Sequence, residues 1–80
     1  MVSIGQVYEL PFSKNPVVVT HIKCNKENNK DKKYDWIYLI TDEGLIERLW
    51  RVSVEETMKL LAEYPSWQVA VNSTEFRGVK

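Results

Sequence analysis

Cysteine, histidine and glycine are scarce in this chain, and each shortage excludes a class of protein. The single cysteine, Cys24, cannot form a disulfide within the chain, so we expect a reducing, cytoplasmic environment rather than secretion. One histidine beside one cysteine leaves zinc without a ligand set. The three glycines, at positions 5, 44 and 78, are isolated, which excludes a glycine-rich phosphate-binding loop. We therefore expect no metal and no cofactor.

Long apolar runs and an excess of either charge are also missing. The longest apolar runs, residues 17–19 and 36–40, are far shorter than the ~20 residues of a membrane helix, and residues 1–6 do not begin a signal peptide. We therefore expect a soluble protein with no membrane partner. Because 11 Lys and Arg balance 11 Asp and Glu, a general electrostatic attachment to DNA is not expected. An ordinary composition over 80 residues predicts one small core in a single domain, 1–80.

Most of the chain has the composition of β-strands. Four stretches are rich in valine, isoleucine, threonine and aromatic residues. They are residues 4–10, 16–24, 34–41 and 45–52. Pro11 and Pro16 indicate a turn between the first two stretches, because proline lacks the donor that a central strand needs. Gly44, which follows Asp42 and Glu43, predicts a hairpin between the third and fourth stretches.

The second half of the chain predicts one helix followed by one more strand. Ser53 and Glu56 have the spacing of a capping box, an apolar stripe follows them, and Pro65 ends the predicted helix. Residues 67–73 alternate between apolar and polar side chains, which predicts a fifth strand. The tail at 74–80 has no such pattern, and we expect it to be frayed.

This order of elements predicts an α+β domain that is mostly β. The first expectation is a small five-stranded antiparallel SH3-like barrel with the helix before the last strand, and the alternative is an open sheet with one helix across it. Segments 5–10 (Gly-Gln-Val-Tyr-Glu-Leu) and 16–20 (Pro-Val-Val-Val-Thr) resemble small uncharacterised SH3-like proteins of phages and prophages from low-GC Gram-positive bacteria, as does the loop rich in Asn and Lys. The resemblance implies the barrel fold and assigns no functional residue.

The candidates for catalysis fail on geometry. His21 and Cys24 are three positions apart on a strand, so they point to opposite faces and cannot share one nucleophile or one metal. We interpret Cys24 as a small buried residue and His21 as a half-exposed one. Asp42 and Glu43 lie near Glu47, but a solvated turn does not raise a pKa as acid–base chemistry requires, so we interpret them as turn residues. We therefore expect a protein that is not an enzyme.

The first candidate binding feature is the lysine-rich segment 23–33. Residues 25–33 lack apolar side chains, so we expect a flexible loop that serves solubility. The alternative is a loop that contacts nucleic-acid phosphates, with Tyr34 and Trp36 as a stacking surface. The lysines of this alternative are Lys26, Lys30, Lys32 and Lys33.

The second candidate feature is an aromatic stripe on the third predicted strand. Tyr34, Trp36 and Tyr38 share one face by alternation, and Trp50 on the next strand extends the stripe. The predicted helix either covers this stripe as a second side of the core or leaves it exposed as a contact surface. We expect Trp36 to be partly exposed, with the helix over the open end of the barrel.

Together these features predict a small non-enzymatic interaction module. We expect it to bind a protein partner through residues 34–40 and the flanking loop. The expected contacts are Tyr34, Trp36, Tyr38 and Trp50. Nucleic-acid binding through the lysine-rich segment is the alternative, and a small enzyme is a third hypothesis. The sequence leaves the oligomeric state open.

Overall fold

The computed structural model describes residues 1–13, 15–26 and 31–77, which form five strands and several short helices. The strands are β1 (Gln6–Glu9), β2 (Pro16–Lys23), β3 (Trp36–Thr41), β4 (Ile46–Trp50) and β5 (Lys59–Glu63). The α-helices are α1 (Arg51–Thr57), α2 (Trp67–Val71) and α3 (Thr74–Arg77), and a 3₁₀ helix spans Lys32–Tyr34.

The strands form one antiparallel sheet in the order β4-β3-β2-β1-β5. In the described part of the chain no pairing joins the outer strands β4 and β5, so the sheet is open. The predicted SH3-like barrel is therefore wrong, whereas the α+β, mostly β class is confirmed. The reason is the course of the chain after α1: β5 pairs with β1, and the described chain then leaves the sheet as helices, so up to residue 77 no further strand follows that could close the two edges.

The predicted hairpin between the third and fourth strands is confirmed. β3 pairs with β4, and Gly44 in the connection has a φ of 85°, the left-handed conformation that glycine adopts without strain. The Thr41 N–H donates to the Leu45 carbonyl oxygen at 2.8 Å, and the Gly44 N–H donates to the Thr41 carbonyl oxygen at 3.0 Å. β3 begins at Trp36, so Tyr34 lies outside the strand in which it was predicted.

The segment predicted as one helix after Ser53 divides into α1 and β5. α1 begins at Arg51 with Trp50 as its N-cap and no side-chain cap, so the predicted capping box is wrong. The helix ends at Thr57, and the next residue, the C-cap Met58, has an extended backbone and a buried side chain. The chain then pairs along the free edge of β1, because the backbone N–H and C=O groups of both strands gain partners there. These hydrogen bonds outweigh the helix propensity of residues 59–63, which are all good helix formers.

The predicted fifth strand forms α2 instead. Ser66 caps this helix, since its Oγ accepts a hydrogen bond from the Val69 N–H at 3.2 Å. Ala70 is 0% exposed and Val69 is 47% exposed, the reverse of what the alternation predicted. Trp67 and Val71 are four positions apart and therefore fit both the strand period and the helix period. The Ser66 cap and the buried Ala70 show that this segment follows the helix period.

The predicted frayed tail is partly helical. α3 packs Phe76 against the core beneath α2, while residues 78–80 lie outside the described residues. The Ser73 hydroxyl donates to the Ala70 carbonyl oxygen at 2.6 Å and accepts from the Phe76 N–H at 3.3 Å. Ser73 thus joins the end of α2 to the start of α3.

The lysine-rich segment has defined contacts on both sides of residues 27–30, which lie outside the described residues. Asn25, expected in a solvated loop, is 4% exposed. Asp31 caps the 3₁₀ helix, since its carboxylate accepts from the Lys33 N–H at 3.1 Å. The flanks of the predicted loop are therefore part of the folded domain.

Both faces of the sheet support a hydrophobic core. On the first face, Ile37 and Leu39 pack with Val54 of α1. On the second face, Val7 and Val18 pack with α2 and α3. The sheet is therefore the middle layer of three, with α1 on one side and the two C-terminal helices on the other.

Candidate binding surface

The second face of the sheet carries aromatic residues at the end that includes β3 and β4. Trp36, Tyr38 and Ile40 alternate along β3 with the buried residues Ile37 and Leu39 of the first face. Ile40 packs against the core beneath α2, which identifies the face to which all three belong. Trp36 and Tyr38 are not part of that core, so the structure places two members of the predicted stripe beyond the helices.

The strands on both sides of β3 complete a surface that we call the open face. In an antiparallel pair, residues directly opposite each other lie on the same face. The open face consists of Trp36 and Tyr38 of β3, the residues Trp50 and Arg48 opposite them on β4, and the residues Lys23 and His21 opposite them on β2.

A β-bulge in β2 brings His21 and Lys23 to the open face. The pairing of β2 with β3 is regular as far as Val19 and resumes at His21, which lies opposite Tyr38. Thr20 is the extra residue, and its hydroxyl donates to the Tyr38 carbonyl oxygen at 3.3 Å. Regular alternation from Val19 would have turned His21 and Lys23 to the other face. A single extra residue leaves no pattern in the sequence, which explains why this placement was missed.

Trp36 and Trp50 of the open face contact each other, and Tyr34 beside them contacts Trp50. The rings of Tyr34 and Trp50 meet edge to face with centres 5.1 Å apart, and the ring centres of Trp36 and Trp50 are 6.1 Å apart. The guanidinium carbon of Arg48 lies 3.9 Å from the centre of the Trp36 ring, a cation–π contact. Tyr34 reaches this cluster from the 3₁₀ helix. The cluster is partly open to solvent, since Trp50 is 41% exposed and Trp36 is half-buried.

A recess of about 410 Å³ adjoins these rings where β2 ends. α2 and α3 pack over Val7 and Val18 at the other end of the same face. The recess is lined by Lys23, Cys24, Asn25, Lys26, Trp36, Tyr38 and Arg48. Its walls therefore combine aromatic rings with long cationic side chains.

The lysines expected to contact nucleic acid are only partly brought to the recess. Lys26 lines it. Lys32 and Lys33 belong to the 3₁₀ helix, and the Lys33 ammonium forms an ion pair with Asp31 at 3.5 Å. Lys30 lies outside the described residues. Of the three described lysines in this set, only Lys26 therefore lines the recess, and nucleic-acid contacts by the segment stay a prediction.

Two other cations are Lys23, which the sequence analysis included only as part of the lysine-rich segment, and Arg48, which was not singled out from the sequence. They line the recess with Lys26, and among the described residues that line it none is acidic. The ion pairs that the described residues form lie elsewhere, at Lys33 and at Arg51. The recess is therefore locally positive although the net charge of the chain is zero. One signal could have identified Arg48, since it lies two positions before Trp50 in the predicted fourth strand.

The structure does not assemble the catalytic candidates into a site. Cys24 is exposed, which corrects the expectation that it is buried, and the reason is that β2 ends one residue before it. His21 is exposed, and its Nδ1 lies 3.2 Å from Thr20 Oγ1. Asp42 and Glu43 are exposed in the turn between β3 and β4. Among the described residues, no group of three or more His, Cys, Asp or Glu side chains is placed to hold a metal ion.

Tyr8 has a perturbed pKa, but it lies on the first face of the sheet. Burial raises the pKa of its phenol, the charges of Glu55 and Glu63 raise it further, and Arg51 lowers it. The Tyr8 hydroxyl donates to Gln6 Oε1 at 2.8 Å, and Gln6 Nε2 donates to Glu63 Oε1 at 2.9 Å. This network links β1 to β5 and does not extend to the open face.

Two further findings bear on the class of the protein. Of the helices in the described ranges, none combines the length and apolarity that a membrane crossing requires. Comparison of the chain with protein-family models, curated protein sequences and solved structures gave no match. The resemblance to phage and prophage proteins stays a prediction, and the function is argued from the open face.

Proposed function

We propose that the chain is a non-enzymatic interaction module that binds another macromolecule through the open face. The observation that supports this proposal is the cluster of Trp36, Trp50 and Arg48 at the surface, beyond the part of the sheet that α2 and α3 cover. Aromatic and arginine side chains are enriched at binding surfaces, where they supply most of the binding free energy. A cluster of this kind beside a recess is typical of a contact site.

The contacts within the cluster also favour binding. Trp50 contacts the rings of both Tyr34 and Trp36, and Arg48 lies over Trp36. Side chains that are already held in place lose little conformational entropy when a partner arrives. The surface therefore has the preorganisation that a specific contact requires.

A protein partner, the first expectation from the sequence, is supported by the position of β4. This strand is at the edge of the sheet, and Leu45 and Ile46 at its start are 61% and 60% exposed. An exposed edge of this kind can pair with an extended segment of another protein.

A nucleic-acid partner is supported by the charge of the recess. Lys23, Lys26 and Arg48 line it without an acidic neighbour among its described lining residues.

Cytoplasmic location belongs to the same proposal, because the exposed Cys24 is compatible with a reducing compartment. Origin in a phage or prophage rests on the sequence resemblance alone.

The proposed function can be tested by photo-crosslinking inside the cells that produce the protein. A benzophenone amino acid at position 38 places the reactive group on the open face, and the same amino acid at the exposed Leu60 of β5 is the control. We expect macromolecular adducts from position 38 only, and their loss when Arg48→Glu is added. Digestion with protease or nuclease then identifies the class of partner. Equal adducts from both positions, or none from position 38, would contradict the proposal.

A further inference from the structure

The charge and the ring geometry of the open face indicate which class of macromolecule it binds, an inference that rests on the proposed function. We infer that the partner is a single-stranded nucleic acid. Its bases stack on Trp36 and Tyr38, and its phosphates contact Lys23, Lys26 and Arg48.

The first step of the argument is charge. The three cations line one recess, and the ion pairs of the described residues are formed by other cations. A chain with zero net charge has concentrated positive charge at one place on its surface. The complementary partner is an anion with several charges in a row, and a phosphate backbone has this property.

The second step is the arrangement of the rings. Trp36 and Tyr38 are two positions apart on β3, so their side chains emerge from the same face about 7 Å apart. Rings displayed side by side on a sheet, with cations next to them, are suited to successive unpaired bases. The Arg48 guanidinium carbon lies 3.9 Å from the centre of the Trp36 ring, so a cation for the phosphates is placed directly beside the stacking surface.

The third step separates a single strand from a duplex. In a duplex the bases stack on one another, so the rings of Trp36 and Tyr38 have no free base face to contact. Affinity for a duplex would then depend on phosphate contacts alone, and the recess offers only the three cations Lys23, Lys26 and Arg48. The combination of few cations and accessible rings therefore favours single strands.

Fluorescence anisotropy of short labelled oligothymidine and oligouridine, titrated with the full chain, tests this inference. Three phosphate contacts, each contributing a slope of about −0.7 on a logarithmic plot against salt, predict an affinity loss of about 20-fold from about 50 to about 200 mM salt. We expect the matching duplex to bind at least about tenfold more weakly, because it lacks the stacking contribution.

Matched variants locate the binding on the protein. Arg48→Gln should weaken binding and make the salt slope shallower by about 0.7, whereas Lys59→Gln, the same charge change at an exposed position of β5, should alter neither. Tyr38→Leu keeps an apolar side chain but removes the ring, and we expect about tenfold weaker binding at every salt concentration. Far-UV circular dichroism checks that each variant is folded.

A poly-glutamate peptide in the same titration separates this inference from the proposed function. If poly-glutamate binds and oligonucleotides do not, and Arg48→Gln abolishes that binding, the partner is an acidic protein; the inference is then wrong and the proposed function stands. If no oligonucleotide binds, or if Lys59→Gln weakens binding as much as Arg48→Gln does, the inference is also overturned. The crosslinking experiment then decides the proposed function independently.

Discussion

The second face of the sheet has two halves, one covered by α2 and α3 and the other formed by the open face, and different side chains occupy them. Beneath α2 and α3 the strands contribute the small aliphatic residues Val7 and Val18, and Ala70 packs on them with no exposed surface. On the open face the strands contribute Trp36 and Tyr38, with cations beside them. The aromatic residues that the strands themselves contribute to this face thus lie on the side open to solvent. Side-chain size alone therefore does not identify the core of this protein.

Helix length explains why one half is covered and the other is not. α2 has five residues and α3 has four, so the longer helix spans only about 7.5 Å. Five strands spaced at about 4.8 Å make a sheet about 19 Å wide between its outer strands. Two such helices cover about two strands, and they pack on β1 and β2. The β3–β4 end has no helix left to cover it in the described chain.

The largest expected effect comes from placing a charge in the covered half. Ala70→Asp should lower the free energy of unfolding by about 3–5 kcal/mol, because the carboxylate would be buried between α2 and the sheet without a partner. Val69→Asp places the same group on the exposed side of the same helix and should cost less than about 1 kcal/mol. Urea denaturation followed by circular dichroism measures both. Equal losses would show that α2 does not pack as described.

A pair of tryptophan substitutions compares the two halves directly. Trp67→Ala should cost about 3 kcal/mol, because the ring packs on the core beneath α2. Trp36→Ala should cost about 1 kcal/mol, through the loss of its contacts with Trp50 and Arg48. The urea midpoints of the two variants give the difference. A larger loss for Trp36→Ala would mean that the open face is a structural core and would remove the basis of the proposed function.

The two described glycines with positive φ provide a comparison between a crowded position and an open one. Gly5 and Gly44 have φ values of 95° and 85°, so alanine at either position should cost roughly 1–2 kcal/mol. A Cβ at Gly5 would also collide with the Tyr64 carbonyl oxygen, where the chain turns toward α2, whereas the space around Gly44 is empty. Gly5→Ala should therefore cost at least about 1 kcal/mol more than Gly44→Ala. Thermal unfolding of both variants checks this difference, and equal midpoints would contradict it.

The smallest expected effect concerns Tyr8 on the first face, which provides a reference outside both halves. Tyr8→Phe should cost about 1 kcal/mol at neutral pH through loss of the hydrogen bond to Gln6. The folded protein raises the pKa of this phenol above the unfolded value of about 10. Its contribution to stability is therefore complete below a pH of about 10 and is lost as the pH rises through the folded pKa.

Unfolding experiments at neutral and alkaline pH test the Tyr8 prediction. We expect the wild-type chain to lose more stability than Tyr8→Phe when the pH is raised above about 10. Trp36→Ala should retain the wild-type pH dependence, because Trp36 does not titrate and lies outside the Tyr8 network. An identical alkaline loss in Tyr8→Phe and wild type would show that other groups cause it.

The candidate site was predictable in part. Trp36 and Tyr38 were identified because strict alternation on a strand with a strong β composition determines which residues share a face. Arg48 was not identified, and Lys23 was identified only as part of the lysine-rich segment, because the placement of both residues beside Trp36 and Tyr38 depends on the pairing of β3 with its two neighbours. Residues that come together only through strand pairing have no signal in the local sequence.

The sequence by itself determined the first four strands and the β3–β4 hairpin. Local composition, prolines and Gly44 act within a few residues and need no distant partner. Tertiary structure decided the course of the chain after Trp50. There the local patterns predicted a helix that includes residues 59–63 and a strand that includes residues 67–71, and the structure has the opposite. Pairing with β1 made β5 a strand, and burial of Ala70 against the sheet made α2 a helix. The bulge at Thr20 was decided in the same way, because only the register with β3 determines which face receives Lys23.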